Sequence, residues 1–171
     1  MPEWDHEVYE QFGDRVRVRV CALCFRHDHL LLIWHKGIAN EQYFLAPPGG
    51  GIQFGETAEQ ALSREVKEET GLIVQKAQFL FVYEYVEPPL HAIELFFEAE
   101  VSEGDPQIGE DPELESGEQL IQQVRFTSPQ EIKDEITKKK NWFHQLIHHY
   151  HHPKELLSLR GYFKFDNKTR N

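Results

Sequence analysis

Three observations predict an α/β fold for this chain of 171 residues. Residues 15–25 begin with a strict alternation of charged and apolar side chains at a period of two, which is a strand. Residues 58–70 are helix formers between a capping residue and a glycine. Residues 72–86 and 91–101 are rich in aromatic and β-branched side chains and read as further strands. A chain of this length buries roughly 70% of its unfolded surface, enough for one self-sufficient core. No internal repeat or linker divides it. Residues 1–171 are therefore read as one domain, with 1–14 as an N-terminal segment and 128–171 as a helical C-terminal extension.

The elements follow in order. Val16, Val18, Val20 and Ala22 fall on one face of the first strand, with Arg15, Arg17 and Arg19 on the other. His27-Asp28-His29 supplies turn chemistry, so Leu30 to His35 is expected to return as the second strand of a hairpin. Residues Gly37 to Gln42 loop, and Tyr43 to Ala46 run extended into Pro47-Pro48-Gly49-Gly50-Gly51. Two prolines forbid helix there, and three glycines allow the backbone to approach a ligand closely. Thr57 with Gln60 forms a capping box for the helix Ala58 to Thr70, and Gly71 stands where a left-handed C-cap belongs. After the two long strands, 102–119 is a loop carrying seven acids (Glu103, Asp105, Glu110, Asp111, Glu113, Glu115 and Glu118) and no base. Leu120 to Phe126 resumes as strand. Ser128-Pro129 starts a helix with a capping Ser and Pro at the first helical position. Another helix is expected over Lys138 to His152, and Gly161 to Asp166 is a final strand or a tail.

Composition narrows the function. Twenty-nine acids against eighteen bases give a formal charge of -11, which argues against a nucleic-acid coat, since binding the phosphate backbone needs clustered Lys and Arg. The longest apolar runs, Leu30 to Trp34 and Phe79 to Tyr83, are far too short to cross a bilayer, and Met1 to Glu10 is acidic where a secretion signal would be basic and apolar. A cytoplasmic protein without membrane association is expected. Cys21 and Cys24, three apart on a strand, point to opposite faces and read as small buried side chains, not as a redox or zinc pair.

The chemistry-bearing segment is the helix 58–70 with the glycine loop before it. Glu65, Glu68 and Glu69 stand at i, i+3 and i+4, so three carboxylates share one face within a turn. They lie beside the apolar stripe marked by Leu62 and Val66, and two of them sit in the last turn, where the helix dipole disfavours negative charge. Several hard oxygen donors converging on one face suit Mg²⁺ or Mn²⁺, which would relieve the repulsion.

These residues also carry a resemblance. Residues 50–72 match the Nudix box, Gly-x5-Glu-x7-Arg-Glu-U-x-Glu-Glu-x-Gly-U with U aliphatic, at Gly50, Glu56, Arg64, Glu65, Val66, Glu68, Glu69, Gly71 and Leu72, without departure. The chain thus resembles the Nudix hydrolase family. The resemblance implies a mixed β-sheet sandwiched between helices, with a loop-helix-loop site that hydrolyses a pyrophosphate bond in a nucleoside diphosphate derivative, giving a nucleoside monophosphate or related product. By position it implies Glu65, Glu68 and Glu69 as ligands of Mg²⁺, with Mn²⁺ as a substitute, and the Gly49 carbonyl as a further ligand. Arg64 would orient a glutamate, Gly50, Glu56 and Gly71 would support the loop, and Glu118, or else Glu115, would be the general base. The alternative is a Nudix-like nucleotide sensor or interaction module without turnover. Isomerase chemistry on a prenyl diphosphate would need a reactive Cys21 or Cys24. The expected partner is a small nucleotide derivative, with the segment Pro2 to Asp14 as the candidate contact of a homodimer.

Weaker signals have plainer explanations. His144, His148, His149, His151 and His152 lie within nine residues and have helical spacing, but no carboxylate accompanies them closely, and an exposed polar face accounts for them. Trp34, Tyr43, Phe44, Tyr83 and Tyr85 are aromatics that could hold a base or sugar, and Arg17, Arg19 and Lys36 are cations within reach of an anion. Such aromatics are more often core, and alternation on a polar strand face explains the arginines without a ligand.

Overall fold

The computed structural model describes residues 9–10, 13–36, 43–109, 121–137, 142–143, 146 and 150–164. Among the described residues two five-stranded sheets and two helices make up the main architecture. The strands are β1 (Arg17–Leu23), β2 (Phe25–Arg26), β3 (His29–Lys36), β4 (Tyr43–Ala46), β5 (Gly49–Gly51), β6 (Val74–Glu87), β7 (Leu90–Val101), β8 (Ile121–Thr127), β9 (Trp142–Phe143) and β10 (Gly161–Lys164). The helices are α1 (Ala58–Thr70) and α2 (Pro129–Thr137), and Pro153–Ser158 forms a 3₁₀ turn. The first sheet runs β10-β6-β7-β1-β5 and is mixed, because β1 lies parallel to β7 while β6 and β7 are antiparallel. The second runs β2-β3-β4-β9, with β8 also pairing to β3.

Two buried clusters show how the layers stack. One joins Cys21, Leu23, Phe81, Tyr83 and Phe96 of the first sheet to Leu30, Leu32, Trp34 and Leu45 of the second. The other joins Val20, Ala22, Phe97 and Ala99 to Leu31 and Ile33 and to Ala61, Leu62 and Val66 of α1. Full burial of a side chain such as Leu62 contributes about 1.5–3 kcal/mol, so α1 is held on by a few contacts of this kind. Strand parity sends Cys21 into the first cluster and Cys24 into the second, both as free buried thiols.

Several sequence expectations are corrected. β1 and β3 do not form one hairpin. The chain leaves the first sheet at Cys24, and only Phe25–Arg26 pairs back onto His29 and Leu30, through a turn in which His27 has a positive φ of 56°. The glycine segment is not a free loop, since Gly49, Gly50 and Gly51 pair antiparallel with Cys21, Val20 and Arg19. A Cβ at Gly49 would fall on the Val20 carbonyl, so only glycine lets β5 lie this close to β1. A continuous helix over Lys138 to His152 is also wrong, because Trp142–Phe143 is a strand parallel to Phe44 and Leu45. The C-terminal extension is therefore not simply helical: β9 completes one sheet and β10 the other. Of the histidines, His152 caps the 3₁₀ turn, its Nδ1 accepting from the Lys154 N–H at 3.2 Å. His144, His148 and His149 lie outside the described residues, as does most of the segment Pro2 to Asp14. No helix among the described residues is long and apolar enough to cross a membrane.

Candidate active site

The site is built on α1. Thr57 Oγ1 accepts from the Gln60 N–H at 3.2 Å and Gln60 Oε1 accepts from the Thr57 N–H at 2.8 Å, closing the expected capping box. At the other end Gly71 takes φ 70°, a left-handed cap whose N–H donates to the Lys67 carbonyl at 2.9 Å. Between these fixed ends Glu65 and Glu69 fall on the buried side with Leu62 and Val66, at 7% and 6% exposure. Glu68, one step around the wheel, is half-buried.

Arg64 gathers this turn of helix and the glycine strand around one guanidinium. Its Nε donates to Glu56 Oε1 at 2.6 Å and its Nη2 to Glu56 Oε2 at 3.0 Å, a bidentate pair. Nη2 also donates to the Gly51 carbonyl at 3.0 Å, while Nη1 donates to Glu65 Oε1 at 2.8 Å and Glu68 Oε2 at 3.0 Å. The five guanidinium N–H donors are thus all engaged. Glu56 also accepts from the Gln53 N–H at 2.9 Å. The Arg64 hydrogen bonds, and then this backbone bond, bring the Glu56 carboxyl down to about 2. The same Glu56 contact, together with Glu65 and Glu68, raises Arg64 against the cost of its partial burial. Glu69 is held from the other side, where its Oε2 accepts from the Gly49 N–H at 2.9 Å. A Cβ at Gly50 would fall on the Glu65 carboxylate, so Gly50 leaves the gap through which that carboxylate meets the strand.

The geometry therefore brings together Gly49, Gly50, Glu56, Arg64, Glu65, Glu68 and Glu69. Gly71 acts from the far end of the helix as its cap. Glu115 and Glu118 lie outside the described residues. Their loop nevertheless starts at the site, because the Gln107 and Gly109 N–H groups donate to the Thr70 and Glu69 carbonyls at 2.9 and 3.1 Å. Those bonds satisfy carbonyls at the end of α1 that the helix leaves without a partner. Nothing in the composition of 105–109 signals this docking.

One inward-facing acid was missed. Glu94, in the run Ile93-Glu94-Leu95-Phe96, is 8% exposed, and Arg19 Nε lies 3.3 Å from its Oε1. Arg19 Nη2 reaches the Gly49 carbonyl at 3.5 Å. Strand parity with buried Phe96 is the signal that would have found it.

With all four carboxylates ionised, Glu56, Glu65, Glu68 and Glu69 carry -4 against +1 from Arg64, a surplus of -3. Two like charges about 5 Å apart repel by about 3 kcal/mol at an effective dielectric of 20. Among the described residues no three His, Cys, Asp or Glu side chains are grouped so that they could hold a metal ion as they stand. Arg64 occupies one oxygen each of Glu65 and Glu68. The donor chemistry still fits a hard divalent cation: carboxylate oxygens in excess of their one cation, beside a glycine strand that offers a carbonyl.

Comparison with known proteins agrees with this geometry. Residues 14–150 match the model of the NUDIX domain. An ADP-ribose pyrophosphatase of Methanocaldococcus jannaschii is 38% identical over 96 residues, 55% of this chain and 56% of that protein. An 8-oxo-dGTP diphosphatase of Escherichia coli is 42% identical over 59 residues, 34% of this chain and 46% of that protein. The matches thus span about half the length of these curated relatives. Among solved structures, the mutator MutT protein of Bacillus halodurans superposes with a TM-score of 0.60 at 19% identity, covering 89% of this chain and 92% of that one. A MutT NUDIX hydrolase of Burkholderia pseudomallei does so with a TM-score of 0.56 at 24% identity, covering 69% and 87%. These structural likenesses show the fold.

Proposed function

The chain belongs to the Nudix family, and from that premise we propose that it hydrolyses a pyrophosphate bond in a small nucleoside diphosphate derivative with the help of Mg²⁺. The single observation that carries this reading is the carboxylate surplus on α1. Glu65, Glu68 and Glu69 project from one turn toward a glycine strand, with one guanidinium among them. Names of relatives support the substrate class, since one is an ADP-ribose pyrophosphatase and another an 8-oxo-dGTP diphosphatase.

In this reading Glu65, Glu68, Glu69 and the Gly49 carbonyl would hold the divalent ion. When bound, such a cation supplies positive charge against the pyrophosphate and makes a nearby water easier to deprotonate. The protein's own residues do the rest. Arg64 fixes the direction of Glu65 and Glu68 and ties them through Glu56 and Gly51 to the loop. The Gly49 N–H fixes Glu69. Glu118 or Glu115, in the loop that departs from Gly109, is the base that takes a proton from the attacking water. The net charge of -11 is then no obstacle to phosphate chemistry but a reason for strict dependence on a divalent ion. Neither cysteine suits nucleophilic chemistry, since burial pushes Cys24 up to about 12 and Cys21 well above the ordinary thiol range.

The test is product analysis. Purified protein with Mg²⁺ is expected to release a nucleoside monophosphate from ADP-ribose, an oxidised nucleoside triphosphate, a dinucleoside polyphosphate or a sugar nucleotide. Glu68→Gln or Glu69→Gln is expected to lower kcat on the order of 10³-fold with the far-ultraviolet spectrum unchanged. Full activity in both variants would remove the metal assignment.

A further inference from the structure

The inward face of the first sheet carries a polar row that the hydrolytic chemistry leaves unused. Strand register places Arg19 of β1 beside Glu94 of β7, Glu94 beside Tyr83 of β6, and Arg19 beside Gly51 of β5. At about 4.8 Å per strand, Glu94 stands about 10 Å from Gly51 and Tyr83 about 15 Å. The next row on the same face is Cys21, Phe96 and Phe81, which is apolar and belongs to the buried layer between the sheets. Phe81 and Phe96 stack there with ring centroids 4.7 Å apart.

Packing alone would continue the apolar row. Burying Glu94 with Arg19 costs desolvation that hydrophobic residues of similar volume would avoid, so the pair is weak evidence for stability and stronger evidence for a task. Its place suits recognition, because it lies between the apolar interior and the box. Arg19 is committed to Glu94 at 3.3 Å and approaches the Gly49 carbonyl at 3.5 Å. A second phosphate at this row would meet the Glu94 carboxylate and be repelled. A carboxylate only accepts hydrogen bonds, so what it selects is a neutral group rich in N–H or O–H donors. Burial, and then the Glu94 charge, push the Tyr83 phenol up and keep its hydroxyl a donor.

We propose that Glu94, oriented by Arg19 and flanked by Tyr83, determines substrate specificity by accepting hydrogen bonds from the nucleoside end of the substrate. The chemistry it reads is shared by ribose hydroxyls and by the N–H edge of a base. The inference rests on the hydrolase reading above and deepens it.

The experiment compares wild type with Glu94→Gln and Tyr83→Phe on ADP-ribose, on the ribo, deoxyribo and dideoxyribo forms of guanosine triphosphate, and on 8-oxo-dGTP. Glu94→Gln is expected to lower kcat/KM on the best wild-type substrate about 10- to 100-fold, mostly through KM, and under about 3-fold on the analogue lacking the recognised donor. Tyr83→Phe should shift the same ratio less. An effect that vanishes in the dideoxy form assigns the ribose, and one that persists through the sugar series and follows the base assigns the base edge. Calorimetric Mn²⁺ affinity is expected to stay at the wild-type value, while the melting temperature of Glu94→Gln falls because Arg19 loses its charge partner. Equal loss on every substrate together with weakened Mn²⁺ binding would make the row a brace for Gly49 and overturn the proposal, as would wild-type kinetics on all five. If wild type hydrolyses none of them, and no dinucleoside polyphosphate or sugar nucleotide either, the hydrolase reading falls by itself. Calorimetric binding of the same five nucleotides to wild type and Glu94→Gln then decides the role of Glu94 by the same selective loss.

Discussion

Two arginines organise two helices of this protein, and they do so with opposite charge balance. Arg64 serves three carboxylates and a backbone carbonyl with all five of its N–H donors. Among the described residues Arg125 pairs with Glu131 alone, Nη1 to Oε1 at 2.7 Å, its guanidinium stacked 4.8 Å above the Trp34 ring. Among the described residues its Nε is buried without a hydrogen-bond partner. The carboxylate on each hub is brought down to about 2 by its arginine first and backbone N–H bonds second, Glu56 in one case and Glu131 in the other. A depressed carboxylate therefore does not mark a functional site. What separates the two regions is surplus: four carboxylates to one guanidinium around Arg64, one to one around Arg125. Surplus negative charge beside a buried helix face calls for a cation from outside, and balanced charge needs none.

The sharpest way to break this comparison is to remove each arginine. Arg64→Ala should release Glu56, Glu65 and Glu68 together, and loss of such orienting contacts typically costs about 10- to 100-fold in activity or metal affinity. Arg125→Ala removes a half-exposed ion pair and a ring contact, so it should cost about 1 kcal/mol of stability and leave kcat/KM within about 3-fold. Parallel kinetics and calorimetric Mn²⁺ titrations check this. Equal loss in the two variants would show that Arg64 is no more than a helix brace.

Two adjacent glycines test the same distinction. At Gly50 an added methyl meets the end of the Glu65 side chain, which can turn aside if Arg64 releases it. At Gly49 it meets the backbone of β1, which cannot. Gly49→Ala is therefore expected to lose about 1–3 kcal/mol in denaturant unfolding, while Gly50→Ala melts near wild type and loses Mn²⁺ affinity. A Gly50→Ala protein with unchanged metal binding would remove Glu65 from the ligand set.

The box was legible because its signals are local. The capping box at Thr57 and Gln60, the stop at Gly71, and the placing of Glu65 and Glu69 beside Leu62 and Val66 all follow from helical geometry within one segment. What sequence could not reveal depends on distant partners. Gly49 to Gly51 read as loop because their strand pairing is supplied by β1, some thirty residues earlier. Trp142–Phe143 read as helix because the neighbouring residues are fair helix formers and the competing partner, β4, lies a hundred positions away. The split of the first hairpin at Cys24 has the same origin, since β1 is drawn into the first sheet by pairing with Arg17–Leu23 partners in β7 that alternation cannot name. Glu94 stood between these cases: its parity was readable, its arginine was not.

Acid titration gives the smallest effect and sharpens the comparison most. Glu131 has its carboxyl lowered from 4.5 to about 2 by Arg125 and Ser128, and Glu56 is lowered over the same range by Arg64 and Gln53. A carboxylate with a depressed folded value stabilises the protein above its unfolded value and loses that contribution as pH falls toward the folded one. Glu131→Gln and Glu56→Gln should therefore each be less stable than wild type at neutral pH, and each should lose less stability than wild type between pH 4.5 and about 2. Melting curves at pH 7, 5 and 3 check the sign, and a variant curve parallel to wild type would show that the pairing does not persist in solution. The two variants should look alike in this measurement and differ in turnover, Glu56→Gln losing activity and Glu131→Gln keeping it. Depressed titration would then be shared by both hubs, and only the hub with unbalanced charge would be chemical.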